Sequence, residues 1–280
     1  MRRFADDHPI LIALGLVAIY FSVLAAPALF ASTAFGGDPN ANPQTAPAGQ
    51  LPLEVALAAT VLAAVLLIGW GRPARVTSRP AWGGVWYALP PLLVTLAILA
   101  AGLVASEATM EGLGVLWSAG FIQGTILLVI LVGIFEETLF RGVVLHGFER
   151  RLGAVAALLI SSVLFGAMHY VNWIGGQSLG ATHQQVIHAA LSGFLYGAIA
   201  LRTRSIWPGV LLHALWDFTV MFNAVMLGDA DVSAPAGGAP VVSFIIQYFE
   251  PILGLVAFYG WWRWTGREDG PAPRSEGAPS

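Results

Sequence analysis

The chain consists largely of long apolar blocks that contain few charged residues. Each block is near the roughly 20 residues that an α-helix needs to cross a lipid bilayer. Of the 280 residues, 57% are hydrophobic and only 10% are charged, whereas soluble domains run near 25% charged. A chain this apolar is unsuited to water, so we predict a multi-pass integral membrane protein.

The hydropathy pattern predicts about eight transmembrane helices and therefore an all-α membrane bundle. The predicted spans are 9–31, 51–70, 82–105, 116–140, 152–171, 185–201, 206–227 and 241–264. All thirteen basic residues are arginines, and every one outside the spans falls on the same side when the spans alternate. By the positive-inside rule that side is cytoplasmic, so both termini are predicted to be cytoplasmic.

The composition also excludes several classes of function. There is no cysteine, so disulfides, thiol nucleophiles and thiolate metal sites are excluded. The arginines are spread among short loops without a dense basic patch, so no nucleic-acid partner is predicted. Any chemistry must come from carboxylates, imidazoles and hydroxyls.

The fourth span carries two acidic residues deep in the membrane region. Glu136 lies 14 residues before Arg150, roughly 20 Å along a helix axis. An ionised side chain there costs about 2.5 to 3.5 kcal/mol, so it normally faces the protein interior with a partner. Glu137 and Arg141 are spaced i, i+4 and are expected to pair, which could be a purely structural role. Glu136 faces about 100° away and is left for another role.

Two further spans bring histidine to the same depth. The hairpin between spans four and five is predicted to turn near residue 151, which places His169 within one helical turn of the level of Glu136. In span seven, His213 and Asp217 are spaced i, i+4 and share a face, although Asp217 could simply orient His213 in a structural core. Glu250, in span eight, is expected to be a packing or substrate-gate residue.

These residue types allow two kinds of peptide hydrolysis. A buried Glu can act as general base on a water, with one His polarising that water and a second His with a polar partner facing the oxyanion. Alternatively, His169, His213 and Asp217 could bind a catalytic Zn²⁺ and leave a Glu as the base. The sequence leaves both a zinc enzyme and a metal-free enzyme open.

Three ordered motifs resemble those of the CPBP family of intramembrane proteases. That family includes the type II CAAX prenyl endopeptidase and the bacterial Abi-type bacteriocin-immunity proteins. The resemblance covers about residues 115–225 and implies an eight-helix bundle with a cavity open to the cytoplasmic side. The motifs are Glu136-Glu137-x-x-x-Arg141, Phe165-x-x-x-His169 and His213-x-x-x-Asp217.

The resemblance also implies a role for each motif. The first motif supplies Glu136 to activate water together with His169, while Glu137 and Arg141 support it. The third motif, His213 with Asp217, forms the oxyanion or metal side. The last position is often Asn in the prenyl proteases, whereas Asp is a poor oxyanion donor unless protonated. This departure favours a metal-ligand role for Asp217 or a substrate that is not prenylated.

We therefore predict an intramembrane endopeptidase of the cell membrane, surrounded by lipid and acting on a membrane-associated protein or peptide, with prenylated CAAX-type substrates included. Its alternatives are a non-catalytic scaffold or immunity protein and, less favoured, a proton-coupled transporter, for which the expected repeat between the halves is not visible. The predicted regions are an N-terminal three-helix region (1–114), a catalytic core (115–225), a last loop and helix (226–265) and a disordered cytoplasmic tail (266–280).

Overall fold

The computed structural model describes residues 1–31, 47–107, 110–227 and 240–268. Within these ranges the secondary structure is helical and no strand occurs, which confirms the all-α prediction. Most of the predicted tail and the two long loops that precede α3 and α12 lie outside the described residues. The α-helices are α1 (Arg2–Asp7), α2 (Pro9–Ala31), α3 (Pro47–Leu67), α4 (Trp82–Val85), α5 (Leu89–Ala105), α6 (Met110–Ser118), α7 (Phe121–Glu137), α8 (Leu145–Met168), α9 (Tyr170–Ile174), α10 (Leu179–Thr203), α11 (Trp207–Leu227) and α12 (Pro240–Glu268).

Six helical segments among the described residues are long and apolar enough to cross a membrane, so the protein is an integral membrane protein. The segment that corresponds to predicted spans four and five is a single run of 54 residues. The last predicted span falls in α12, which is not one of the six. The total of eight spans and the cytoplasmic termini stay predictions. The six segments are Pro9–Ala26, Gly49–Leu67, Trp82–Ala105, Phe121–Ile174, Leu179–Thr203 and Trp207–Met226.

The 54-residue run is a hairpin that reverses at Gly153. Gly153 has φ 79° and ψ 167°, a conformation outside the helical region that glycine adopts readily. The Ser161 hydroxyl donates to the Phe140 carbonyl over 2.8 Å, whereas a straight helix would hold these residues about 30 Å apart. The chain therefore folds back on itself here, close to the predicted turn at residue 151.

Two helices form the centre of the bundle. Helix α10 packs mainly against α8 and α12, while α7 packs between α3 and α11. Glycine allows the close approach of α8 to α10: a Cβ on Gly166 would lie 2.5 Å from the Val186 carbonyl oxygen, and one on Gly193 would lie 3.2 Å from Cα of Ser162. Small residues at helix contacts are the usual solution in lipid, where close backbone packing replaces the hydrophobic drive.

The bundle has an apolar exterior and buries a cluster of ionisable groups within a largely apolar core. Large aliphatic side chains such as Leu66, Val163 and Leu211 are more than half exposed, as suits contact with lipid tails. Glu137 and Arg141, in contrast, are completely buried. The interior between α7, α8 and α11 is where the fold gathers its ionisable groups.

Candidate active site

The two neighbouring glutamates lie where an α-helix changes to a wider helix. Helix α7 ends at Glu137, and Thr138–Val144 continues as a π-helix whose seven residues are all buried. Such π-helical segments are rare and occur frequently at functional sites. The change of helix type places Glu136 and Glu137 at a local irregularity in the first arm of the membrane-spanning hairpin.

The predicted pair of Glu137 and Arg141 is present and completely buried. The distance from Arg141 Nη1 to Glu137 Oε1 is 3.0 Å. The guanidinium carbon also lies 4.0 Å from the centroid of the Phe165 ring and 5.5 Å from that of Tyr196, distances at which a cation is attracted to the ring face. Gly209 allows α11 to pack directly against Glu137, because a Cβ there would lie 2.9 Å from Glu137 Oε2.

His213 lies between three carboxylates. Its Nδ1 atom is 3.0 Å from Glu137 Oε1, and its Nε2 atom is 3.4 Å from Asp217 Oδ2 and 3.6 Å from Glu136 Oε2. The imidazole also stacks on the Tyr196 ring, with 5.6 Å between centroids and 26° between planes. The shared face of His213 and Asp217 followed from their spacing, whereas the contact of His213 with both glutamates did not.

Glu136 has a second partner that sequence reasoning missed. The hydroxyl of Tyr20, in the middle of α2, donates to Glu136 Oε1 over 3.3 Å. A signal was available in the sequence, because transmembrane tyrosines concentrate at the membrane interfaces and Tyr20 lies well inside the first span. Its buried hydroxyl needs a partner there.

His169 lies beside the site, next to Phe165; its predicted role with Glu136 stays a prediction. It directly follows the last residue of α8, and its Nδ1 lies 3.0 Å from the Phe165 carbonyl oxygen. The carbonyls of a last helical turn lack partners within the helix, so a side chain that follows can cap them. The Phe165 ring packs edge-on against both His169 and His213. Within the described ranges, no hydrogen bond or ion pair joins His169 to either glutamate.

Two more acids occur in the interior. Glu54 of α3 is 9% exposed and interacts electrostatically with Glu136 and Asp217; an acid in the second span was a visible signal that sequence reasoning missed. Glu250 of α12 accepts a hydrogen bond from the Ser192 hydroxyl over 2.7 Å. That contact joins α12 to α10, so Glu250 has a packing partner.

The residues proposed as zinc ligands do not form a metal site. In the part of the chain that the structure describes, no three His, Asp or Glu side chains converge as a group that could hold a metal ion. His213 and Asp217 are neighbours, but His169 does not form a three-residue ligand group with them. A zinc ion bound by His169, His213 and Asp217 does not fit this arrangement.

Residues 116–219 match the family model described as type II CAAX prenyl endopeptidase Rce1-like. The matched range contains all three motifs identified in the sequence. This part of the chain is similar to the type II CAAX prenyl endopeptidases that the model describes. The match is consistent with the CPBP family. No curated protein and no solved structure matched the chain.

The Rce1-like match implies a CAAX-type intramembrane protease, which is a hydrolase, and a membrane-associated protein as its substrate. The Rce1-like range begins just before α7 and ends within α11. It therefore holds Glu136, Glu137 and His213, whereas Tyr20 and Glu54 lie outside it. The N-terminal helices contribute to the same buried cluster without belonging to the matched range.

Proposed function

We propose that the protein is an intramembrane endopeptidase that cleaves membrane-associated proteins or peptides, prenylated CAAX-type ones included, with a water molecule activated by Glu136. The observation that carries this proposal is the 3.6 Å separation between Glu136 Oε2 and His213 Nε2. At this distance the carboxylate and the imidazole are immediate neighbours, so a base and a hydrogen-bond donor lie side by side and can act on the same reacting group. The Glu136 side chain is 15% exposed, which makes it more accessible than its buried neighbour Glu137.

In the proposed reaction the oxygen of water attacks the scissile carbonyl carbon while Glu136 takes a proton from that water. The C–O bond forms, the carbonyl electrons move onto its oxygen, and Glu136 then gives the proton to the departing amine as the C–N bond breaks. The products are a carboxyl group and an amine, so atoms and charge balance. The Nδ1 atom of His169 is engaged with a carbonyl, which leaves Nε2 to accept a hydrogen bond from the attacking water.

His213 is proposed to stabilise the oxyanion. Carboxylates face both of its ring nitrogens, and both can be satisfied when the imidazole carries two protons. Its Nε2–H can then donate to the scissile carbonyl oxygen, which becomes negative, in place of Asp217. A preorganised donor of this kind is typically worth about 10² to 10³ in rate. Glu137 and Arg141 are proposed to hold His213 in place, since Glu137 contacts both the Arg141 guanidinium and Nδ1 of His213.

The proposal is tested with purified protein and a prenylated peptide that ends in a CAAX sequence. Wild type is expected to cleave the peptide, and Glu136→Gln to lower the rate by about 10² to 10⁴, the usual contribution of a general base. Glu111→Gln is the matched control, because Glu111 is an exposed acid in the first turn of α6. Cleavage by Glu136→Gln at the wild-type rate would overturn the proposal.

A further inference from the structure

We infer that Tyr20 is a positioning residue of this active site, whose hydroxyl holds Glu136 in the orientation that presents Oε2 to His213. The inference rests on the proposed role of Glu136. It adds a residue from the first transmembrane helix, outside the Rce1-like range at 116–219. The active site would then be incomplete without the N-terminal region of the chain.

The two carboxylate oxygens of Glu136 have different partners. Oε1 accepts the Tyr20 hydroxyl over 3.3 Å, and Oε2 lies 3.6 Å from Nε2 of His213. The terminal torsion of a glutamate is broad and roughly two-fold, so the side chain alone does not fix the carboxylate plane. A donor on Oε1 and a second group at Oε2 together set that plane and aim Oε2 at the reacting position.

Tyr20 is well suited to fix another group because it is itself held firmly. It is 6% exposed, and its ring packs edge-on against Phe135 with 4.2 Å between centroids. Phe135 directly precedes Glu136, so the ring is tied to the same helical turn as the carboxylate that it contacts. Among the described residues, Glu136 is the acceptor that satisfies the buried hydroxyl, and a buried phenol left without one would be costly.

The packing of α2 sets the position of Tyr20. Helix α2 contacts both α8 and the π-helical segment. Near the start of α2, a Cβ on Gly147 would lie 2.8 Å from the Pro9 carbonyl oxygen and 3.1 Å from the Ala13 Cβ. This close contact fixes α2 against the hairpin. Tyr20 then lies about 16 Å further along the helix at 1.5 Å per residue, at the depth of Glu136.

The test compares Tyr20→Phe with wild type in the prenylated-peptide assay. Phenylalanine keeps the ring packing and removes only the donor. We expect kcat to fall roughly 10-fold to 100-fold with KM unchanged, because misorienting a catalytic group by a fraction of an ångström impairs the chemical step and leaves substrate binding intact. Tyr259→Phe is the matched control, since Tyr259 is 56% exposed on α12. A wild-type kcat, or a change confined to KM, would overturn the inference.

A second measurement keeps the inference testable without a substrate. Infrared spectra of protein labelled with ¹³C-glutamate, compared between wild type and Glu136→Gln, identify the bands of Glu136. Tyr20→Phe is expected to shift those bands, and Tyr259→Phe to leave them unchanged. Bands unaffected by Tyr20→Phe would overturn the positioning role even if the peptide is never cleaved. If instead Glu136→Gln retains cleavage while the bands do shift, the proposed function fails and the contact stands.

Discussion

The imidazole of His213 lies directly against the carboxylate of Glu137, with 3.0 Å between Nδ1 and Oε1, although 76 positions separate the two residues in the chain. The same Glu137 oxygen is 3.0 Å from Arg141 Nη1. One buried carboxylate thus connects the arginine of the first motif to the histidine of the third. Glu136, the adjacent residue, is left to face the other nitrogen of the imidazole.

Neutralising Glu137 is expected to destabilise the fold. Glu137→Gln leaves the completely buried guanidinium of Arg141 without its counter-charge, and removing one partner of a buried pair typically costs about 3 to 5 kcal/mol. The midpoint of thermal unfolding in detergent should fall clearly. The double variant Glu137→Gln with Arg141→Gln removes both charges and should recover part of the loss. If Glu137→Gln unfolds at the same temperature as wild type, the stabilising role of this pair is contradicted.

Asp217 is expected to tolerate an amide better than a methyl group. In Asp217→Asn the side-chain oxygen can still accept from His213 Nε2 across the present 3.4 Å, and the NH₂ group offers a donor to the oxyanion. Asp217→Ala removes both, and loss of an oxyanion-side group costs about 10² to 10³ in kcat. We therefore expect the Asn variant to keep a kcat close to that of wild type and the Ala variant to have a much lower kcat. Equal loss in both variants would show that the carboxylate charge itself is required.

Removing metal ions is expected to leave activity unchanged. The geometry of His169, His213 and Asp217 does not provide a three-residue metal site among the described residues. Zinc measured on purified protein should be below about a tenth of stoichiometric, and cleavage should continue in a chelator. Stoichiometric zinc together with loss of activity on chelation, restored by added zinc, would contradict the metal-free mechanism.

The N-terminal helix α1 provides a pH-dependent contact outside the membrane. The indole N–H of Trp70 donates to Asp6 over 3.1 Å; that hydrogen bond and the nearby Arg150 lower the pKa of Asp6 below its usual range. A depressed pKa contributes stability above the unfolded-state value, about 3.9, and this is lost as the pH falls through the folded-state pKa. Asp6→Asn should therefore unfold at a lower temperature than wild type at pH 7.

That difference should vanish in acid, below the pKa of Asp6 in the folded protein. Asp7→Asn is the control, because the side chain of Asp7 is exposed and Arg151 contacts only its backbone carbonyl. A constant difference between Asp6→Asn and wild type from pH 7 into acid would show that the carboxylate charge is not responsible.

Spacing along one helix predicted part of this site and could not predict the rest. The i, i+4 pairs Glu137 with Arg141 and His213 with Asp217 are local and occur as expected. Apolar block lengths likewise placed the hairpin turn within two residues of Gly153. The mid-span position of Tyr20 indicated that its hydroxyl needs a buried partner, but the identity of that partner depends on which helices pack together, and a single sequence gives no local sign of that.

The register of the hairpin shows a second limit. Counting residues from the turn put His169 at the level of Glu136, and that argument assumes uniform α-helix on both sides. The π-helical segment at Thr138–Val144 changes the rise and rotation next to Glu136. On the other side, α8 ends just before His169, which caps its own last turn. Glu136 contacts His213 of α11, a helix outside the hairpin, so counting residues from the hairpin turn could not predict that contact.

The central claim is that Glu136 carries out proteolysis in the membrane. The most direct test compares the termini of membrane proteins in cells carrying wild type, Glu136→Gln or Glu111→Gln at matched expression. New termini are expected with wild type and with Glu111→Gln but not with Glu136→Gln, and those termini identify the substrates. The same termini in all three, or none in any, would contradict the claim and favour a non-catalytic scaffold.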